Sequence, residues 1–155
     1  MTTTAPRVSA FVLALVSVLA LAACNDDPTG NDGHPDPAGL VVTRAGVDVV
    51  EVRGLGIIGS FNVPEGGTSG DLEVQLIDQS GNRYTPTAQD QWLRVTVTNP
   101  ALARWVQDEL GEWGGRLEGL TAGTTTVGFD LMHGPVGDAT AHFDYRTPNI
   151  PVVVN

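Results

Sequence analysis

From residue 40 onward apolar and polar residues alternate in short runs, and a chain patterned this way can bury only one face of each run. Val47 to Arg53 reads V-D-V-V-E-V-R, with Val50 and Val52 facing one way and Glu51 and Arg53 the other. Leu72 to Asp78 alternates over most of its length, and Ser80-Gly81-Asn82 then reads as a turn. Trp92 to Thr98 repeats the pattern, with Leu93, Val95 and Val97 on one side and Trp92 on the other. Leu40 to Thr43, Ile57 to Val63, Thr124 to Met132, Ala139 to Tyr145 and Ile150 to Val154 complete a set of short β-branched segments separated by Gly, Pro and Asp. Strands at this spacing predict an all-β fold, a sandwich of two sheets. The hydrophobic run Ile150 to Val154 reads as an edge strand open to pairing with another chain.

The first residues are of another kind. Met1 to Arg7 is short and polar with one positive charge, and Val8 to Leu21 is an apolar run of 14 residues. That suits the hydrophobic region of an export signal and is short of the ~20 residues a spanning helix needs. The run ends in Leu21-Ala22-Ala23-Cys24, which resembles the lipobox of bacterial lipoproteins. The resemblance implies cleavage before Cys24 and a diacylglyceryl group on its thiol, so that residues 1–23 are a signal peptide and the mature chain is anchored to the cell membrane or outer membrane with its domain outside the cytoplasm. Cys24 is the single cysteine, so no intramolecular disulfide can form. Asn25 to Gly39 holds three prolines, three glycines and four aspartates and no large apolar residue. Residues 24–39 therefore read as the lipidated cysteine and a flexible linker spanning roughly 20 Å, with the folded domain at 40–155. His34 between Asp32 and Asp36 is a D-x-H-x-D arrangement that reads as a solvated linker or a loose metal grip.

Removing residues 1–23 leaves seven arginines, no lysine and 18 acids, a net charge of −11. So acidic a chain repels phosphate backbones, which argues against nucleic acid as a partner. The 132 residues left suffice for one domain with a real core.

Leu72 to Leu131 resembles bacterial Ig-like domains of the group 2 type. The matching features are Leu72 to Asp78 running into Ser80-Gly81-Asn82, then Leu93 to Val97 leading to Asn99-Pro100-Ala101-Leu102-Ala103, then Arg116 to Val127 with its glycines at 119 and 123. The resemblance implies an Ig-like β-sandwich acting as a structural or adhesive module, with no catalytic residues to transfer. It implies tight turns at Gly119 and Gly123 around an inward Leu120, and a short helical turn then a strand after Asn99. Helical spacing of Leu102, Trp105, Val106 and Leu110 argues instead for a helix over 100–110. The segment 101–115 is longer and richer in tryptophan than that family, and Met132 to Asn155 has no counterpart in it.

No G-x-S-x-G, H-E-x-x-H, C-x-x-C or phosphate-loop motif is present, and with no lysine Schiff-base chemistry is excluded. The expectation is a non-enzymatic envelope module with a protein or glycan partner. One constellation suggests chemistry. If Gly134 to Asp138 is a hairpin loop and His133 pairs with Ala139, then Asp130, Met132, His142 and Asp144 share a face, with Phe129, Leu131, His133, Ala141, Phe143 and Tyr145 on the other. A thioether, an imidazole and two carboxylates can bind copper or zinc, the thioether favouring Cu(I). The alternative is a cross-strand His–Asp pair on a polar outer face. His133 itself reads as an imidazole at the edge of the core, satisfied by a loop carbonyl. Trp92, Trp105 and Trp113 read as core packing or, if they share a face, as a sugar-stacking platform.

Overall fold

A computed structural model describes Met1 and residues 34–155; the segment read as an export signal, Cys24 and most of the stretch read as a linker, Asp32 included, lie outside the described residues. Residues 34–155 form one compact unit of strands and turns. The first sheet contains β1 (Pro37–Arg44), β2 (Val47–Arg53), β3 (Gly56–Gly59), β5 (Leu72–Asp78), β6 (Arg83–Tyr84), β8 (Ala103–Val106) and β9 (Gly114–Gly119), in the order β3-β2-β1-β5-β9-β8 with β6 also on β5. The second contains β4 (Phe61–Val63), β7 (Gln91–Val97), β10 (Gly123–His133), β11 (His142–Arg146) and β12 (Ile150–Val154). The two sheets pack face to face as the sandwich the strand pattern predicts.

The core is made by the alternating residues. Leu40, Val42, Val50, Val52, Leu72, Val74, Leu76 and Leu117 of the first sheet meet Phe61, Val63, Leu93, Val127, Phe129, Leu131, Ile150, Val152 and Val154 of the second. Each such side chain contributes about 1.5–3 kcal/mol by leaving water. Trp105 stands edge-on to Phe129 with ring centroids 5.5 Å apart, and Trp113 is half-buried against the same core. Trp92 lies elsewhere, beside Met132 on the outer face of the second sheet, so the three tryptophans share no platform.

Strand β10 organises the second sheet. Its whole second half and part of its first pair with β7 on one side. On the other side its first half pairs with β12 and its second with β11, end to end. Strand β12 is in turn parallel to β4. It is therefore an interior strand, not the edge the sequence suggested.

Other expectations change in detail. β1 begins at Pro37, so the last linker residues are already paired, Pro37 with Asp78 and Gly39 with both Arg53 and Ile77. Ile57 to Val63 is divided at Ser60, its halves going to different sheets. Residues 100–102 form a turn followed by strand β8, as the Ig-like resemblance implied, and the helical spacing is overridden by pairing with β9. Leu120 is 40% exposed rather than inward. Gly119 beside it is buried because the Pro64 carbonyl oxygen approaches to 2.4 Å of where a Cβ would stand, a place only glycine can fill. Among the described residues no helix is long and apolar enough to cross a membrane.

Candidate metal centre at the β10–β11 hairpin

The hairpin turns later than the sequence suggested. The chain leaves β10 at His133 and returns at His142, an eight-residue loop where five were expected. Asp138 shapes that loop: its Oδ1 accepts from the Thr140 amide at 2.7 Å and its carbonyl from the Ala141 amide at 3.2 Å. The Thr140 amide and hydroxyl hold the Asp138 carboxyl below the usual range. His133 therefore pairs with His142, and Asp130 with Arg146 rather than with His142. The shift is three residues. An odd shift exchanges faces, so His142 joins His133 and parts from Asp130 and Met132. Between Met132↔Phe143 and Leu131↔Tyr145 the register slips again, and Asp144 is the extra residue of a bulge.

The four residues singled out by the sequence thus divide in two. His142 and Asp144 come together with His133, and one ligand atom from each of the three lies within 4.8 Å of the others. Asp144 Oδ1 is 3.3 Å from His142 Nε2, and its Oδ2 is 3.5 Å from His133 Nδ1. The remaining ring nitrogen of His133, Nε2, is 3.1 Å from the carboxylate of Asp90, just before β7. That hydrogen bond holds the Asp90 carboxyl below its ordinary range. His133 is thus satisfied by a carboxylate in place of the expected loop carbonyl. The Asp90 carbonyl accepts from the Gly134 amide at 2.8 Å, tying the loop before β7 to the hairpin. His34 stands nearby, its ring 6.3 Å from that of His133 and perpendicular to it.

Asp130 and Met132 lie on the opposite face of β10. Met132 is 2% exposed beside Trp92, whose indole donates to the Gly134 carbonyl at 3.0 Å. Asp130 is 6% exposed and clamped between two arginines. Arg94 Nη2 is 2.7 Å from its Oδ2, and Arg146 Nε is 2.8 Å from its Oδ1. Burial pushes the Asp130 carboxyl up, but the hydrogen bonds and charges of Arg146 and Arg94 outweigh it and hold the carboxyl below the usual range. Neither residue can reach the hairpin cluster, and with Met132 goes the reason to favour Cu(I).

Two imidazoles and a carboxylate are a donor set for zinc or copper(II). The His133–Asp90 bond resembles the outer-sphere carboxylate that orients a metal-binding histidine and fixes its tautomer. His142 is 67% exposed at its side chain and can turn to close the set.

No protein-family model matches the chain, and no curated protein matches it in sequence. Solved structures of the S-layer protein SbsC are similar to it in fold. Domains 5–6 match with a TM-score of 0.47 at 17% identity, over 79% of this chain and 45% of that one. Domains 1–6 match with a TM-score of 0.47 at 18% identity, over 78% of this chain and 13% of that one. Domains 4 and 5 match with a TM-score of 0.41 at 20% identity, over 61% and 46%. The chain spans less than half the length of each.

Proposed function

We propose that this protein is a lipid-anchored module of the cell envelope that binds rather than catalyses, and that its ligand is a divalent transition metal, zinc or copper(II), held at the β10–β11 hairpin. The observation that carries the metal reading is the convergence of His133, His142 and Asp144, with Asp90 bracing His133 from behind. Bonds of ~2.0–2.2 Å in a tetrahedral site place the ligand atoms roughly 3.3–3.6 Å apart. Asp144 already stands 3.3 Å from His142 Nε2 and 3.5 Å from His133 Nδ1, with the exposed His142 ring free to adjust. Envelope location and anchoring rest on the export signal and on Leu21-Ala22-Ala23-Cys24. One acyl chain holds a protein only marginally and two hold it firmly, so a diacylglyceryl group on Cys24 suffices to retain the domain at a membrane.

The test is a titration of the full chain in detergent with Zn(II), Cu(II) and Cu(I), beside His142→Ala and Met132→Leu. The expected result is one Zn(II) or Cu(II) per chain, lost in His142→Ala and kept in Met132→Leu. Binding no tighter than that of His142→Ala overturns the metal reading and leaves a module whose partners are proteins or glycans. Mass spectrometry of the mature N-terminus checks the anchor separately: an unmodified Cys24 rejects it.

A further inference from the structure

A second place on the surface has a chemistry different from that of the hairpin. On the outer face of the second sheet, the row Arg94–Asp130–Arg146 crosses β7, β10 and β11. Beside it lies a cavity of about 280 Å³, whose walls also include Thr96, Thr98 and Asn149 and whose floor is Gly128. Asp130 takes Nε and Nη2 of both arginines, and neither Nη1 has a hydrogen-bond partner among the described residues. Arg146 is held from a second side by the Phe143 ring, 4.3 Å from its guanidinium carbon. These forks are pinned in place before any ligand arrives, which lowers the entropy cost of binding.

Gly128 is the independent observation. It sits in the interior of the central strand, where glycine costs roughly 0.5–1 kcal/mol relative to alanine. The backbone does not demand it: Gly128 is not among the glycines of positive φ. Packing does not demand it either, because a Cβ there would meet only Asn149 Oδ1, at an ordinary 3.7 Å. Gly119 shows the contrast, excluded from any other residue by a backbone oxygen at 2.4 Å. What the absent side chain at 128 does is keep the cavity open to its floor, and a strand glycine without a structural reason marks a place where something approaches the backbone.

The geometry points to a binding site for a sugar bearing one carboxylate, such as a hexuronate unit. The Nη1 groups that Asp130 leaves over offer a carboxylate one charged donor from each arginine. Thr96 and Asn149 offer donors and acceptors for ring hydroxyls, and the Thr98 hydroxyl, bonded to that of Thr126 at 2.7 Å, keeps its remaining capacity. The lining carries two arginines and one aspartate, a net charge of +1 in a chain of −10, which suits a monoanion better than a phosphate dianion. The volume of about 280 Å³ falls just below the ~300–1,000 Å³ typical of ligand pockets, so it takes one ring rather than an extended chain. The site shares no residue with the hairpin cluster and stands or falls apart from it.

The experiment is a titration of the full chain in detergent followed by amide correlation spectra, with glucuronate and galacturonate as probes and glucose and inorganic phosphate as comparisons. Saturable shifts confined to residues 94–98, 128–130 and 146–149 are expected with a hexuronate at a Kd on the order of 1 mM, with none from glucose and at least about tenfold weaker binding of phosphate. Arg146→Gln should weaken hexuronate binding about tenfold. Gly128→Val should abolish it while leaving the remaining spectrum in place, which guards against mere unfolding in the arginine variant. No saturable shift by about 50 mM overturns the proposal, as does undiminished binding in Gly128→Val. Equal or tighter binding of phosphate overturns it too, and makes the surface a general anion patch.

Discussion

Two carboxylates separated by one paired position, Leu131↔Tyr145, along the β10–β11 ladder meet opposite fates. Asp130 is buried and saturated, with two arginines fixed to its two oxygens. Asp144 stands on a bulge at the exposed end of the hairpin, shared between two imidazoles. The first is a structural anion, and its two arginines keep their Nη1 groups unpaired among the described residues. The second is a donor set still able to accept a cation. Counting acids in the sequence cannot separate the two; what separates them is which face of β10 the opposing strand presents. The same ladder thus assigns one acid to holding arginines in place and leaves the other between two imidazoles, where the proposed metal would bind.

Substitutions that strip each carboxylate of its partners should break this contrast most visibly. Arg94→Met with Arg146→Met leaves Asp130 buried without a counter-charge, and urea unfolding should show a loss of about 3 kcal/mol. Next comes acid. Asp130 has a folded pKa below its unfolded value of about 3.9, so its contribution is complete above that value and is lost as pH falls through the folded pKa. The gap in stability between the wild type and Asp130→Asn should therefore be full at about pH 6 and shrink below about pH 4; a gap independent of pH would mean the arginines act by packing alone. Smaller, and opposite in sign, Gly128→Ala should raise stability by about 0.5 kcal/mol, since the position tolerates a Cβ; a loss would show that glycine is needed by the fold. Smallest of all, His142→Ala without metal should change stability by less than about 0.5 kcal/mol, because the pairs it removes are exposed. A large loss there would make the cluster a structural element.

The strand faces were readable from sequence because alternation reports them directly. Val47–Arg53, Leu72–Asp78 and Ile150–Val154 coincide with β2, β5 and β12 at both ends. What alternation does not report is the number of residues spent in a loop or on a bulge. Asp138 draws the β10–β11 loop out to eight residues and Asp144 adds one more to the return strand. Those extra residues moved His142 to the face of His133 and left Asp130 and Met132 behind. His133 was visible as an imidazole at the end of a strand, yet its partner Asp90 lies 43 residues away, joined only by the pairing of β7 with β10. The arginine-lined cavity was hidden for the same reason: Arg94, Asp130 and Arg146 belong to three separate strands, and nothing local connects them. Leu120 was misplaced because a glycine pair signals tight turns without saying which side of them faces the core.

The parallel pairing of β12 with β4 bears on how the protein is made. Val152 lies beside Phe61 and Val154 beside Val63, so the second sheet closes a loop of about 90 residues around most of the domain. Contacts of such long range slow folding, commonly to milliseconds or seconds in β-sandwiches. In the exported protein proposed above, that delay keeps the chain unfolded for longer while it crosses a membrane. Until β12 reaches β4, the second sheet lacks the strand joining β4 to β10.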